Sequence, residues 1–286
     1  MNEKNVQIQK GRTHYIRKVL FSISIITFAL VMVFPFLYTL SLSFMSEADI
    51  TSFPVRLLPS RGVFDNYIIA YTRQPILHYM KNSFIITLIA VFLNISISVM
   101  SAYALVRTDI KYKKLFMSFI LAITLLPIIT ILQPIYEMFS KMGLLNTYLG
   151  VAILEAVMGL PMSTWFMTAL IKQIPIDFEE SARIEGANIF QLLIHIYFPL
   201  LKAGIGSLSI LKFIGTWNAF LLPQILNMAK SHRTLTVGIT MYQSDHEIPF
   251  GVISAAAMTT IIPVIIIILI FQRSIINNVL KGGVKG

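Results

Sequence analysis

The chain has no cysteine among its 286 residues, and only 13% of them are charged. The first lack excludes disulfides, thiolate metal sites and a cysteine nucleophile. The second excludes more. Soluble domains carry about 25% charged residues, and a globule of this length could not cover its surface with half as many. Acids are the scarcer sign: 13 Asp and Glu stand against 23 Lys and Arg, for a net charge of +10. With 56% hydrophobic residues and a mean hydropathy of +0.76, the composition points to lipid as the solvent for most of the chain.

Motifs for chemistry are also lacking. No G-x-x-x-x-G-K-[ST] loop occurs, so the chain has no ATP site of its own. The five histidines form no H-E-x-x-H pair, and no G-x-S-x-G elbow frames a serine. No metal ligands and no catalytic residues are expected, and an integral membrane enzyme is not supported. Asp245, His246 and Glu247 read as a solvated polar cluster or a partner contact.

What is present is a series of six long runs, 19–44, 82–106, 115–136, 146–171, 203–226 and 248–272, interrupted only by Glu155 and Lys212. A span needs about 20 apolar residues, and in lipid the backbone must satisfy itself, so these runs predict helices. The first is too long for the apolar region of a signal peptide and lacks a cleavage site, so it reads as a retained span. The expected fold is all-α and polytopic, with six transmembrane helices. Pro127, Pro161 and Pro263 should kink their helices, and Gly204, Gly206 and Gly215 should let helices approach closely.

Of the 23 Lys and Arg, 15 fall on the side of the N-terminus and 7 on the other. Positive-inside bias therefore puts both termini, 1–18 and 274–286, in the cytoplasm, with 45–81 as a long extracytoplasmic loop. The basic clusters lack interleaved aromatics, which argues against a nucleic-acid partner.

The most informative segment is the inner loop 175–199, PIDFEESARIEGANIFQLLIHIYFP. Asp177 and Glu180 have the spacing of a capping box, Gly186 sits where a helix needs a left-handed end, and Asn188 can cap a second helix over 189–197. The prediction is a stiff helix–turn–helix elbow before Pro199. It suits an interfacial anchor or a knob offered to a partner's groove. Glu179 and Glu185 read as a solvated face, and Glu180 as either cap or partner contact.

This loop resembles the coupling loop of ATP-binding-cassette importer permeases, whose motif is E-A-A, three residues, G, nine residues, I-x-L-P. It reads here as Glu180, Ser181, Ala182, then Gly186, then Ile196 to Pro199, with Ser181 and Phe198 as mild departures. Gly143 to Tyr148, Trp217 to Leu221 and the C-terminal Gly282 to Gly286 resemble the carbohydrate, maltose-permease-like branch, although Ala219 replaces the usual acid. The resemblance implies a permease domain over 82–273 in a prokaryotic cytoplasmic membrane. It implies a second, non-identical permease subunit, an ATP-binding-cassette ATPase dimer and an extracytoplasmic solute-binding protein as partners. It places ATP and Mg on the ATPase, with no cofactor on this chain. Glu180, Ser181, Ala182, Glu185, Gly186 and Pro199 would form the ATPase-coupling site.

For the substrate pathway the candidates are Glu155, Lys212, Trp217 and Asn218. Charges inside spans default to function. Glu155 lines the pathway or makes a structural contact. Lys212 snorkels or faces the partner permease. Side chains lean toward helix N-termini, so on antiparallel spans these two should point apart. Trp217 with Asn218 suits a sugar contact, or an interfacial aromatic belt. A gradient-driven secondary carrier is the alternative reading, although it should show internal repeats and more spans.

Overall fold

A computed structural model describes residues 3–243 and 248–283, with side chains for 17–243 and 248–271. The Asp245–His246–Glu247 cluster and the last residues of the C-terminal pattern lie outside the described residues. Thirteen α-helices and no strand are found among those described: α1 (Glu3–Ser43), α2 (Glu47–Ile50), α3 (Asp65–Arg73), α4 (Ile76–Arg107), α5 (Lys113–Ile123), α6 (Leu132–Lys141), α7 (Tyr148–Ile171), α8 (Asp177–Ile184), α9 (Ile189–Leu192), α10 (Phe198–Trp217), α11 (Leu221–Leu226), α12 (Leu235–Thr240) and α13 (Phe250–Gly283).

Five of these stretches are long and apolar enough to cross a membrane: 17–43 in α1, α4, α7, the run Ile189–Trp217, and 250–271 in α13. The expected span 115–136 is not one straight helix. It is broken into α5 and Ile128–Lys141, bent by 93°. The break ends at Pro127, whose missing N–H and ring prevent an uninterrupted helix there. Counted as one bent span, the pair makes six. Pro161 and Pro263 lie inside helices that run on through them.

The chain forms two compact units. One comprises Met1–Arg73 and Gln243–Thr259. Its α1 exposes nearly every large apolar side chain from Val19 to Leu37, as a lipid-facing helix must. The loop after α1 is folded around the buried Asp49, which accepts hydrogen bonds from Ser60 and pairs with Arg56 at 2.9 Å. Asn66 donates to the carbonyls of Ser43 and Met45, and so ties α3 to the end of α1.

The other unit comprises Gln74–Tyr242 and Thr260–Gly286. Its centre is the pair α4 and α7. The buried stripe of α4 includes Asn82, Ser83, Thr87, Ala90, Asn94, Ser98 and Ala102, while Leu77, Phe84, Leu88 and Phe92 are exposed. This is the order lipid imposes: small and polar residues let helices meet closely, and the bulky apolar ones face the acyl chains. One apolar cluster joins Val99 and Tyr103 of α4 to Met167 and Ile171 of α7, Tyr197, and Leu201 and Leu208 of α10. Of the three glycines expected at close approaches, Gly204 alone meets a neighbour: a Cβ there would run into Leu170. Gly206 and Gly215 face open space within this chain.

Candidate functional site: an exposed helical elbow on a buried carboxylate

Helix α8 follows Pro175, as expected, but Asp177 and Glu180 form no capping box. Ile176 is the N-cap, with no side-chain cap, and its carbonyl takes the N–H groups of Glu179 and Glu180 at 2.8 and 3.0 Å. Asp177 is the first helical residue. It joins Glu179 and Glu180 as the acidic first turn that the helix dipole favours. Glu180 therefore has no capping duty and stands exposed.

The turn after α8 matches its prediction. Gly186 has φ +86°, a conformation that costs an L residue about 1–2 kcal/mol. Its N–H bonds to the carbonyl of Arg183 at 3.0 Å, and that of Ala187 to the carbonyl of Ala182 at 2.9 Å. These two bonds form a Schellman motif. Asn188 then caps α9 in a full capping box with Gln191, at 3.0 and 2.8 Å. Pro199 does not separate the second arm from the next span. α9 continues through a π-helical stretch, Leu193–Tyr197, into α10, where Pro199 is the second residue. The wider π turn accommodates a residue that can donate no backbone hydrogen bond. The fifth span runs from Ile189 to Trp217 rather than over 203–226.

Ser181, Ile184 and Glu185 are exposed with Glu180, and Ile184 is 87% exposed, a large apolar side chain at the tip of α8. Inside the bend lies a hollow of about 360 Å³ lined by Ala182, Glu185, Gly186, Gln191 and His195. The elbow offers both a knob and a notch.

What holds it is Glu179, and here the sequence reading is corrected. Glu179 is not a solvated residue: it is buried. Tyr103 of α4 donates to Oε1 at 2.8 Å, and Tyr197 to Oε2 at 2.5 Å. Arg183, one turn along α8, donates to Oε1 through Nε at 3.0 Å and Nη2 at 2.8 Å. Arg107 of α4 lies 3.6 Å from Oε2, donates to the Tyr197 hydroxyl at 2.8 Å, and reaches the carbonyl of Ile174 at 2.5 Å. Burial opposes ionisation of Glu179, but the hydrogen bonds from Tyr197, Arg183 and Tyr103 outweigh it and hold the carboxyl below its ordinary value. One carboxylate thus joins α8 to the end of α4 and the start of the next span. Glu185, by contrast, stays in solvent as expected.

The intramembrane candidates regroup. Lys212 and Glu155 meet: the Lys212 ammonium donates to the Glu155 carbonyl at 2.6 Å and lies 4.0 Å from its carboxylate. Backbone lean was a poor guide, because the long lysine stem reaches across. Gly159 leaves room for it, since a Cβ there would lie 2.7 Å from Nζ. Asn94 donates to the carbonyl of Ala156 at 2.8 Å beside them. Trp217 is not open to a sugar in this chain. It is buried, its indole N–H donates to the Thr260 carbonyl at 3.2 Å, and its ring stacks on Phe213. Asn218 is exposed and donates to the carbonyl of Ile214.

Residues 94–281 match the family model of the binding-protein-dependent transport system inner membrane component. The chain belongs to this family. The gradient-driven alternative falls with that match. Over 253 residues it is 36% identical to the sulfoquinovosyl glycerol transport system permease protein of Agrobacterium fabrum, covering 88% of this chain and 89% of that one. It is 31% identical to the trehalose/maltose transport system permease protein of Thermococcus litoralis, covering 96% and 99%. Among solved structures it is similar to a chain of a bacterial ABC transporter involved in the import of the acidic polysaccharide alginate. That match has 26% identity, a TM-score of 0.77, and covers 92% of this chain and 97% of that one. The resemblance drawn from the loop motif is borne out, and the chain is a transport subunit of the inner membrane.

Proposed function

We propose that this chain is one of two non-identical permease subunits of an ATP-driven importer, and forms half of the pathway for a sugar or oligosaccharide. Both termini and the elbow face the cytoplasm. A solute-binding protein delivers the sugar from outside, and a dimer of separate ATPase subunits carries ATP and Mg. One ATPase receives α8, with Glu180 and Ile184 as its contacts, and the notch beside Gly186 takes a partner side chain. The sugar names of the relatives support the substrate class.

The observation that carries the reading is the two-sided character of α8. Its exposed face mixes the polar Glu180, Ser181 and Glu185 with two apolar side chains, Phe178 and Ile184, as a docking knob needs. Its base is fixed by Glu179 to two spans, as a lever needs. A helix that served only as an interfacial anchor would not require a buried carboxylate held by four side chains.

The absence of cysteine makes the test direct. A single Ile184→Cys, labelled with a maleimide–benzophenone and irradiated in the assembled complex, should cross-link to an ATPase subunit. The same label at Lys141→Cys, on the opposite side in this reading, should not. Equal cross-linking at both positions, or none at Ile184→Cys, contradicts the proposal. Calorimetric titration of the cognate solute-binding protein with neutral and acidic oligosaccharides tests the substrate class; failure to bind any sugar overturns that part alone.

A further inference from the structure

A cavity of about 930 Å³ opens where the ends of three helices meet: the last turn of α4, the first turns of α5 and the last turns of α7. Its lining is apolar at Leu105, Met117, Leu121 and Trp165 and basic at Arg107, which Glu179 already engages, and at Lys113, Lys114 and Lys172, whose exposure puts them at the mouth. All three lysines are exposed, and no ion pair engages them among the described residues. No carboxylate lines the cavity. The nearby α5 N-terminus adds uncapped N–H groups: its N-cap is Tyr112, at φ 62°, with no side-chain cap. Volume, apolar walls and a mouth of one charge sign, at the end of two spans, describe an amphiphile with an anionic head.

We propose that this cavity binds an acidic phospholipid, its phosphate held by Lys113, Lys114 and Lys172 and an acyl chain lying against Trp165, Met117 and Leu121. The charge complementarity selects the occupant. A zwitterionic lipid satisfies the walls but brings its own cation to a mouth that already has three. A soluble anion satisfies the mouth but leaves the walls empty. Basic recesses between spans on the cytoplasmic side attract anionic head groups by about fivefold per lysine, so a local preference on the order of tenfold or more is expected. The inference does not depend on the sugar reading, but rests on α4 and α7 being spans with this end in the cytoplasm, as proposed above.

Trp165 is half-exposed on the cavity wall, and the other tryptophan, Trp217, is buried. The full chain carrying Trp217→Phe, reconstituted in phosphatidylcholine vesicles, therefore reports on the site through Trp165 fluorescence. Dibrominated phosphatidylglycerol should quench Trp165 well beyond an equal mole fraction of dibrominated phosphatidylcholine. The combined variant Lys113→Gln, Lys114→Gln, Lys172→Gln should lose that preference. The corresponding Lys→Arg variant, which keeps the charge that orients the protein, should retain it. Equal quenching by the two lipids in the parent chain overturns the proposal. So does a preference that survives the three Gln changes, or one lost in the Arg variant. Inorganic phosphate at constant ionic strength should leave the preference intact; displacement by it would mean a free-phosphate site, and would also overturn the lipid assignment.

Discussion

Tyr197 donates a hydrogen bond to Glu179 at 2.5 Å, and so ties the first arm of the elbow to the base of the span that follows the second. Because Tyr103 and Arg107 reach the same carboxylate from α4, any force on α8 is delivered to two spans at once. In the proposed function this makes the elbow a lever with a polar pivot.

Removing the pivot charge leaves Arg107, which is almost buried, without its counter-ion. Breaking a buried pair from one side costs several kcal/mol. Glu179→Gln is therefore expected to destabilise the assembled complex by on the order of 3 kcal/mol, measured as a fall in thermal unfolding temperature. In the isolated chain, where no ATPase covers α8, Glu180→Gln on the exposed face should leave the unfolding temperature unchanged.

The contribution of Glu179 has a defined pH window. Its carboxyl is held below the ordinary value, which is about 4.3 for a glutamate. Stability from ionised Glu179 is therefore fully present above that ordinary value and is lost as pH falls through the lower folded one. The stability gap between the parent and Glu179→Gln should stay constant from neutral pH down to about pH 5 and close below about 4. A gap that shrinks on raising the pH would contradict the assignment.

Tyr197→Phe and Glu179→Gln should not be additive. A double-mutant cycle on thermal stability is expected to give a coupling of roughly 1–2 kcal/mol, within the range for directly bonded neighbours. A value near zero would mean that the short contact carries no stability.

Much of this was legible in the chain, for reasons that are local. Spans are long apolar runs, and lipid forces them into helices. Gly186 and Asn188 act on backbone groups within five residues, so a short window suffices to read them. Glu179 was missed because its partners Tyr197 and Tyr103 lie 18 and 76 positions away. A signal was available: Tyr103 and Arg107 share one face at the end of a span, and Arg183 sits one turn from Glu179. Trp217 failed for a related reason. An aromatic beside an amide looks alike whether it faces a sugar or packs on Phe213, and only the Thr260 carbonyl, 43 residues on, decides. The sharp bend at Pro127 was underestimated because hydropathy runs smoothly across it.

At the turn, Gly186→Ala meets nothing within 4 Å, so its cost is conformational alone, about 1–2 kcal/mol. Gly186→Asn should cost less, since asparagine tolerates the left-handed region. Gly186→Pro cannot reach φ +86° and loses the bond to Arg183. It should insert and assemble but fail to transport, while ATP hydrolysis continues. Vesicle uptake and phosphate release, measured on the same preparation, check this.

Trp217→Phe keeps the stack on Phe213 and loses one hydrogen bond, worth about 1 kcal/mol. The KM for sugar uptake should not move. A large rise in KM would return Trp217 to the pathway.

The central claim is that Glu179 joins the docking elbow to the spans so that ATPase motion reaches the pathway. The most direct measurement is the amount of sugar transported per ATP hydrolysed by the reconstituted complex, taken only on assembled Glu179→Gln and parent preparations. Hydrolysis that persists while sugar moved per ATP falls severalfold is the predicted result. An unchanged ratio would show that the buried carboxylate stabilises the fold without transmitting its motion.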